Sequence, residues 1–327
     1  MLACAVLNLA VRSADASHCE PHPYSTCVPS NQQWLAAAPS PFAALPRAHV
    51  LEGARLSLAL AGVYQYQPLQ LEAPSPDTAG RSVALVEHVV DSQLLFAAGL
   101  GYGFEFTSAL RLVAHQEGSG IGAARSRSES TLASSAIRDP LFGVAYALLA
   151  SEPGGRSYAL KLRSDFSLPL GDPESFASEP GSVVAPALTF EWQAGRVSVA
   201  GDVGLRLRPT ATLADIRYGN QLSFGTGVSV AAIERTLFLA AEATALPGLE
   251  GAPETPDGGK ARWIPAEWAL TLSLHWSEVY SLLASAGGGL PFSSRGGGTD
   301  AADSFVGLGA PQVRALVMLR VTSPDAP

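Results

Sequence analysis

Along much of the chain apolar and polar residues alternate with a period of two. From Arg55 to Tyr66, Leu56, Leu58, Leu60, Gly62, Tyr64 and Tyr66 share one face, opposite Arg55, Ser57, Ala59, Ala61, Val63 and Gln65. Successive strand residues point to opposite sides, so this pattern predicts a strand with one apolar face. Residues 104–115 set Phe104, Phe106, Leu110 and Leu112 against Glu105, Thr107, Arg111 and His115. Residues 158–168 set Tyr158, Leu160, Leu162, Phe166 and Leu168 against Lys161, Arg163 and Asp165. The alternation returns in 182–192, 197–207, 264–276 and 311–321, and none of these seven apolar faces carries a charge. Weaker strands at 82–100, 138–150, 218–231, 236–246 and 279–290 bring the expected number to twelve.

The links between these strands alternate in length. Short ones fall at 101–103, 151–157, 194–196, 232–235 and 277–278; long polar or Gly/Pro-rich ones fall at 67–81, 116–137, 169–181, 208–217, 247–263 and 291–310. An even strand number with short turns at one end and long loops at the other is the plan of a bacterial outer-membrane barrel. The predicted fold is therefore all-β, a transmembrane antiparallel up-and-down β-barrel of about 12 strands over residues 55–323, with a tail at 324–327. Both termini are expected on the periplasmic side of the outer membrane. A soluble sandwich also has uncharged inner faces, but its strands average about 5–6 residues, too short to span a bilayer at a tilt. Aromatic residues gather at strand ends as interfacial girdles would: Phe104, Tyr158, Phe190, Trp192, Trp276 and Tyr280 near the short turns, and Tyr64, Tyr66, Phe166, Tyr218 and Trp263 near the long links.

Composition agrees. Of 327 residues 47% are hydrophobic and 15% charged, against roughly 25% charged in an average soluble domain. That excludes disorder, and Gly 32 with Pro 24 excludes a coiled coil. A net charge of -8 without any basic run excludes a nucleic-acid surface.

Residues 1–16 contain an apolar run from Leu2 to Val11 followed by Ala14-Asp15-Ala16, the h-region and A-x-A site of a signal peptide. Cleavage there removes Cys4 and leaves Cys19 and Cys27, which an oxidising periplasm would pair as a disulfide. His18 and His22 with the two cysteines offer a zinc alternative, but the spacing matches no common zinc pattern, and no metal is expected. Residues 17–54 pass through Pro29, Pro39, Pro41 and Pro46 and read as a periplasmic tether or a plug.

The polar strand faces hold the candidate functional residues. Glu105, Arg111, Lys161, Arg163, Asp165, Glu191, Asp202, Arg206, Glu267, Arg314 and Arg320 are expected to face the lumen, with ion pairs between Asp165 and Arg163 and between Asp202 and Arg206. Eight-stranded barrels are filled by side chains and 16–18-stranded ones hold a water channel; about twelve lies between. Ala185, Ala187, Gly204, Gly225 and Gly227 on the inward face imply space, taken by water or by the 17–54 segment. Gly118-Ser119-Gly120-Ile121-Gly122-Ala123 fits a dinucleotide fingerprint on paper but lies in a long link without a βαβ unit. His88, His115 and His275 lie in strands with no nucleophile or metalloprotease motif beside them, so no enzyme and no cofactor is expected. The expected function is a passive pore for small solutes or a structural membrane protein. The alternative is a plugged barrel displaying adhesive or interaction loops, and an outer-membrane lipid-modifying enzyme comes third. Expected partners are outer-membrane lipid, small solutes, and cell-surface partners of the long loops.

Four short motifs in order resemble the amino-terminal barrel of the OmpA-like outer-membrane proteins of myxobacteria and related bacteria, over roughly residues 39–322. They are Val50-Leu51-Glu52-Gly53-Ala54-Arg55 entering the first strand, Leu85-Val86-Glu87-His88 in the second, Leu168-Pro169-Leu170-Gly171-Asp172 closing the fifth, and Tyr218-Gly219-Asn220-Gln221-Leu222 opening the eighth. The resemblance implies the barrel alone. Such proteins usually continue into calcium-binding repeats and a peptidoglycan-binding domain, which are not expected here, and the final strand lacks a terminal aromatic residue.

Overall fold

A computed structural model describes residues 25–73, 81–122, 132–151, 156–213, 216–249, 264–290 and 310–324. Twelve antiparallel strands close into one barrel. In chain order they are β1 (Leu56–Ala73), β2 (Arg81–Gly101), β3 (Phe104–Glu117), β4 (Leu141–Ala150), β5 (Arg156–Ser167), β6 (Val183–Ala194), β7 (Val197–Arg206), β8 (Gln221–Ile233), β9 (Leu237–Ala245), β10 (Ala266–His275), β11 (Tyr280–Gly289) and β12 (Val313–Thr322). Each pairs with its sequence neighbour, and β12 returns to β1 from Ser57↔Thr322 to Tyr66↔Val313. Residues 1–16, expected as a signal peptide, and Cys19, Trp263 and the last three residues lie outside the described residues.

The period-two faces explain this arrangement. Leu60, Leu110, Leu162, Leu270, Val317 and Leu319 all lie exposed on the outer wall, while Ala61, Arg111, Lys161, Thr271, Met318 and Arg320 on the alternate positions are buried. Short turns are tight: Gly195 between β6 and β7 takes φ 57, the positive value a two-residue hairpin requires. Aromatic residues stand outward at the short-turn rim, where Trp276 stacks on Tyr280 with ring centroids 6.1 Å apart and Phe104 meets Tyr146 at 4.7 Å.

Two local expectations are corrected. Opposite β2 the register slips between Val90↔His115 and Asp91↔Val113, so Ala114 is a bulge. The bulge turns His115 outward, with its side chain 52% exposed, and buries Gln116 instead. Tyr218 is no girdle residue: it is fully buried beneath the long links. Near the two ends of the described chain the contacts lie at opposite rims. Ser323 donates its N–H to Leu56 at the short-turn rim, whereas Ser25 donates to Thr212 O in the hairpin Ala211–Leu213/Ile216–Tyr218 at the long-link rim.

The outward face makes a direct stability prediction. Leu162 is 48% exposed on the outside of β5, between Tyr146 and Leu188 on the neighbouring strands. Leu162→Arg should cost about 2–4 kcal/mol, the value for a basic residue at the lipid midplane of a barrel wall. Lys161→Arg, one residue away but inward, should cost far less because the charge beside Glu105 is kept. Urea unfolding midpoints in lipid vesicles measure both.

Candidate functional site

The lumen is occupied by the chain itself. Residues 25–53 run through it as a strap that enters at the long-link rim. Ser30 N–H donates to Phe176 O at 2.9 Å, and Asn31 Nδ2 donates to Asp91 at 2.6 Å. The strap then descends past Arg206, which donates to Gln32 O at 2.6 Å and lies 4.3 Å from the centre of the Trp34 ring. Arg320 donates to Ala36 O at 2.8 Å. A loop closed by Ala36 N–H to Ala43 O carries the chain back toward the middle of the lumen. There one carboxylate, Glu242 on β9, accepts the backbone N–H groups of Ala43, Ala44 and Leu45 at 2.9–3.2 Å. Below it Glu191 accepts from Ala48 N–H and pairs with Arg47, Glu105 accepts from Leu51 N–H, and Ala54 N–H donates to Gly99 O at the short-turn rim.

The small inward residues are the complement of this strap. A methyl group on Gly227 would lie 2.5 Å from Phe42, and one on Gly225 would lie 2.8 Å from Leu45. What the sequence suggests as empty space is therefore a pair of notches for two strap side chains. A cavity of about 120 Å³ remains between the strap and β3–β8, bordered by Trp34, Lys161, Arg163, Asp165, Asp202 and Arg206.

The eleven charged positions singled out from the sequence all project inward, and each has a partner. Lys161 reaches Glu105 at 3.4 Å, and Arg314 holds Glu267 at 2.7 Å while touching Asn31 of the strap. Arg163 bonds both Asp165 and Asp202, the second at 2.9 Å, with Thr189 donating to Asp202 as well. Asp202 thus pairs with Arg163, and the expected pairing with Arg206 is absent because Arg206 is turned onto the strap. Arg111 donates to Asp139 O.

The rest of the site comes from long links. Arg138 reaches in from the link after β3, and its guanidinium donates to Asp91 at 2.8 Å, to Ser30 Oγ at 2.9 Å and to Phe176 O. Both members of this pair are essentially inaccessible, at 1% and 0% exposure. Asp139 accepts from Glu179 N–H, Ser178 Oγ and Gly171 N–H; burial pushes its carboxyl up from the ordinary value against the pull of those bonds. Arg208 is held by Glu179 at 2.9 Å, by Gln221 Oε1 and by the Tyr218 hydroxyl. Over these groups Val28 packs with Leu69, Leu85, Val113, Phe176 and Leu213, an apolar lid at the long-link rim.

The remaining candidates have structural partners. Ser119 and Gly120 donate their N–H groups to Ala84 O and Leu85 O, so this loop edges β2 and makes no phosphate cradle. His88 is bonded by the Tyr64 hydroxyl on the outer wall, and His115 meets Glu117 there. His275 lies 3.1 Å from Ser273, with no carboxylate oriented on it among the described residues. Cys27 is disulfide-bonded, its partner lying outside the described residues, so its thiolate is not available to zinc.

No family model matches the chain, and no curated protein matches it in sequence. Solved structures do share its fold. An outer membrane channel from Pseudomonas putida F1 is similar with a TM-score of 0.56 at 12% identity, over 84% of this chain and 97% of that one. The NanC porin gives 0.46 at 12% identity over 82% and 100%, and the KdgM porin, solved with disordered oligogalacturonate, gives 0.42 at 8% over 83% and 99%. The fold is that of an outer-membrane β-barrel.

Proposed function

We propose that this protein is a bacterial outer-membrane pore for small solutes whose passage is governed by its own N-terminal strap. Short turns face the periplasm and long links face outward. The observation that carries this reading is the combination of a charged wall with a strap seated in it by polar contacts. Leu35 and Ala43 share an apolar cluster with Leu95, Leu316 and Met318, but beside it Glu242, Glu191, Arg206 and Arg320 present groups that water could solvate once the strap moves. The fold of the Pseudomonas putida channel supports a pore, and the apolar outer wall supports residence in lipid.

A kinship with the OmpA-like barrels is part of this proposal and rests on the four sequence motifs, two of which have structural work here. Asp172 accepts from Ile137 N–H, Asn220 accepts from Arg208 N–H, and Gln221 and Tyr218 bond the Arg208 side chain, so two motifs build the floor under the long links.

The apolar lid favours a second reading, a plugged scaffold that displays loops to cell-surface partners. Planar-bilayer recording separates the two. The full chain is expected to open rarely, and a chain lacking residues 25–50 is expected to give stable discrete steps. A deletion chain that still shows the heat-modifiable migration of a folded barrel yet passes no current would favour the display scaffold.

A further inference from the structure

The strap has a direction. Its first described contact, Ser25 to Thr212, is at the long-link rim, and its last, Ala54 to Gly99, is at the short-turn rim beside the start of β1 and the end of β12. A chain that only needed to enter β1 from the periplasm would have no reason to pass the whole lumen first. The lumen holds this segment by its side chains, among them Asn31, Trp34, Phe42 and Arg47, and along its length by its main chain as well. Glu242, Glu191 and Glu105 accept strap N–H groups, while Arg206 and Arg320 donate to strap carbonyls. These main-chain contacts recognise an exposed polypeptide backbone. The notches at Gly225 and Gly227 seat the Leu45 and Phe42 side chains. At the long-link rim, Cys27 is disulfide-bonded and fully buried beside the lid that contains Val28.

We propose that the lumen is the outward path of the chain's own N-terminal segment, which it delivers at Ser25 to the long-link rim. The barrel then has a second activity, carrying a polypeptide end to the cell exterior. This rests on the orientation proposed above, in which the long links face outward.

Three versions of the full chain test it, each with one short epitope: after Ser17, after Gly297 in the link between β11 and β12, and after Pro327. Heat-modifiable migration establishes that each barrel has folded, and an epitope after Tyr24 replaces the first if that chain does not fold. Antibody is applied to intact and to permeabilised cells. The expected result is labelling of intact cells through the N-terminal and link epitopes, with the C-terminal epitope at background until permeabilisation. If the link epitope labels intact cells and the N-terminal one labels only after permeabilisation, the outward path is overturned while the orientation stands. If the C-terminal epitope labels intact cells and the link epitope does not, the orientation is wrong and the inference falls with it.

Discussion

Glu242→Ala should unseat the middle of the strap while leaving the barrel wall closed. Glu242 is the sole acceptor described for three consecutive backbone N–H groups, and all of them lie deep in the lumen. A buried donor stripped of its partner costs about 1–3 kcal/mol, and bonds to a carboxylate are among the stronger ones. Water entering the vacated space recovers part of this, which leaves a net loss of about 3–5 kcal/mol in strap docking. At about 1.4 kcal/mol per factor of ten, the detached state gains roughly two to three and a half orders of magnitude in population. Amide hydrogen exchange reads the change directly: Ala43, Ala44 and Leu45 should lose protection by that factor while the β8–β9 ladder keeps its own. Glu242→Gln should fall between, since the amide oxygen still accepts but without charge. Equal protection in all three proteins would show that Glu242 does not hold the strap.

A comparable loss is expected at Asp91, now in the stability of the whole fold. Asp91 on β2 receives hydrogen bonds from Arg138, Asn31 and Gln65, so it joins a long link, the strap and β1 at one point. Removing one member of a buried ion pair leaves the other charged and unpaired, at a cost of about 3–5 kcal/mol. Asp91→Ala and Arg138→Met should each lower the urea midpoint by that equivalent. The double variant should be much less destabilised than the sum of the two, because no orphaned charge remains. Additive losses would mean that the pair contributes through packing rather than charge.

How far the sequence discloses this molecule depends on which atoms make the contacts. Strand positions were legible because the outer faces of β5 from Tyr158 onward, β10 and β12 carry no charge, and a strand cannot shift by one residue without turning its outer Leu residues into the lumen. The bulge at Ala114 was not legible, since nothing in Leu112-Val113-Ala114-His115 marks the doubled residue, and His115 was placed on the wrong face as a result. The inward charges could be read from alternation, but their partners could not. Arg206 and Arg320 are satisfied by carbonyls of Gln32 and Ala36, and backbone groups leave no signature in side-chain order. Glu242 was overlooked although a signal existed: it is the one charged residue of β9, on the face of Ala240 and Thr244. Arg138, Asp139, Glu179 and Arg208 lie in links whose polarity reads as ordinary solvation until the fold turns them inward.

The seam between β1 and β12 imposes a schedule on assembly. It joins Ser57 to Thr322, and the strap contacts Asn31–Arg314 and Ala36–Arg320 each span more than 280 residues. Loop-closure entropy makes such distant pairings late and slow relative to the neighbouring hairpins, each of which closes through a local turn. Made first, the N-terminal segment must lie against a still-open sheet when the last strand arrives. If the seam shut earlier, the end would have to thread an aperture already walled by β2 to β11. The barrel therefore closes around its occupant, and a mutation that hastens β12 relative to strap docking would trap a folded but empty cylinder.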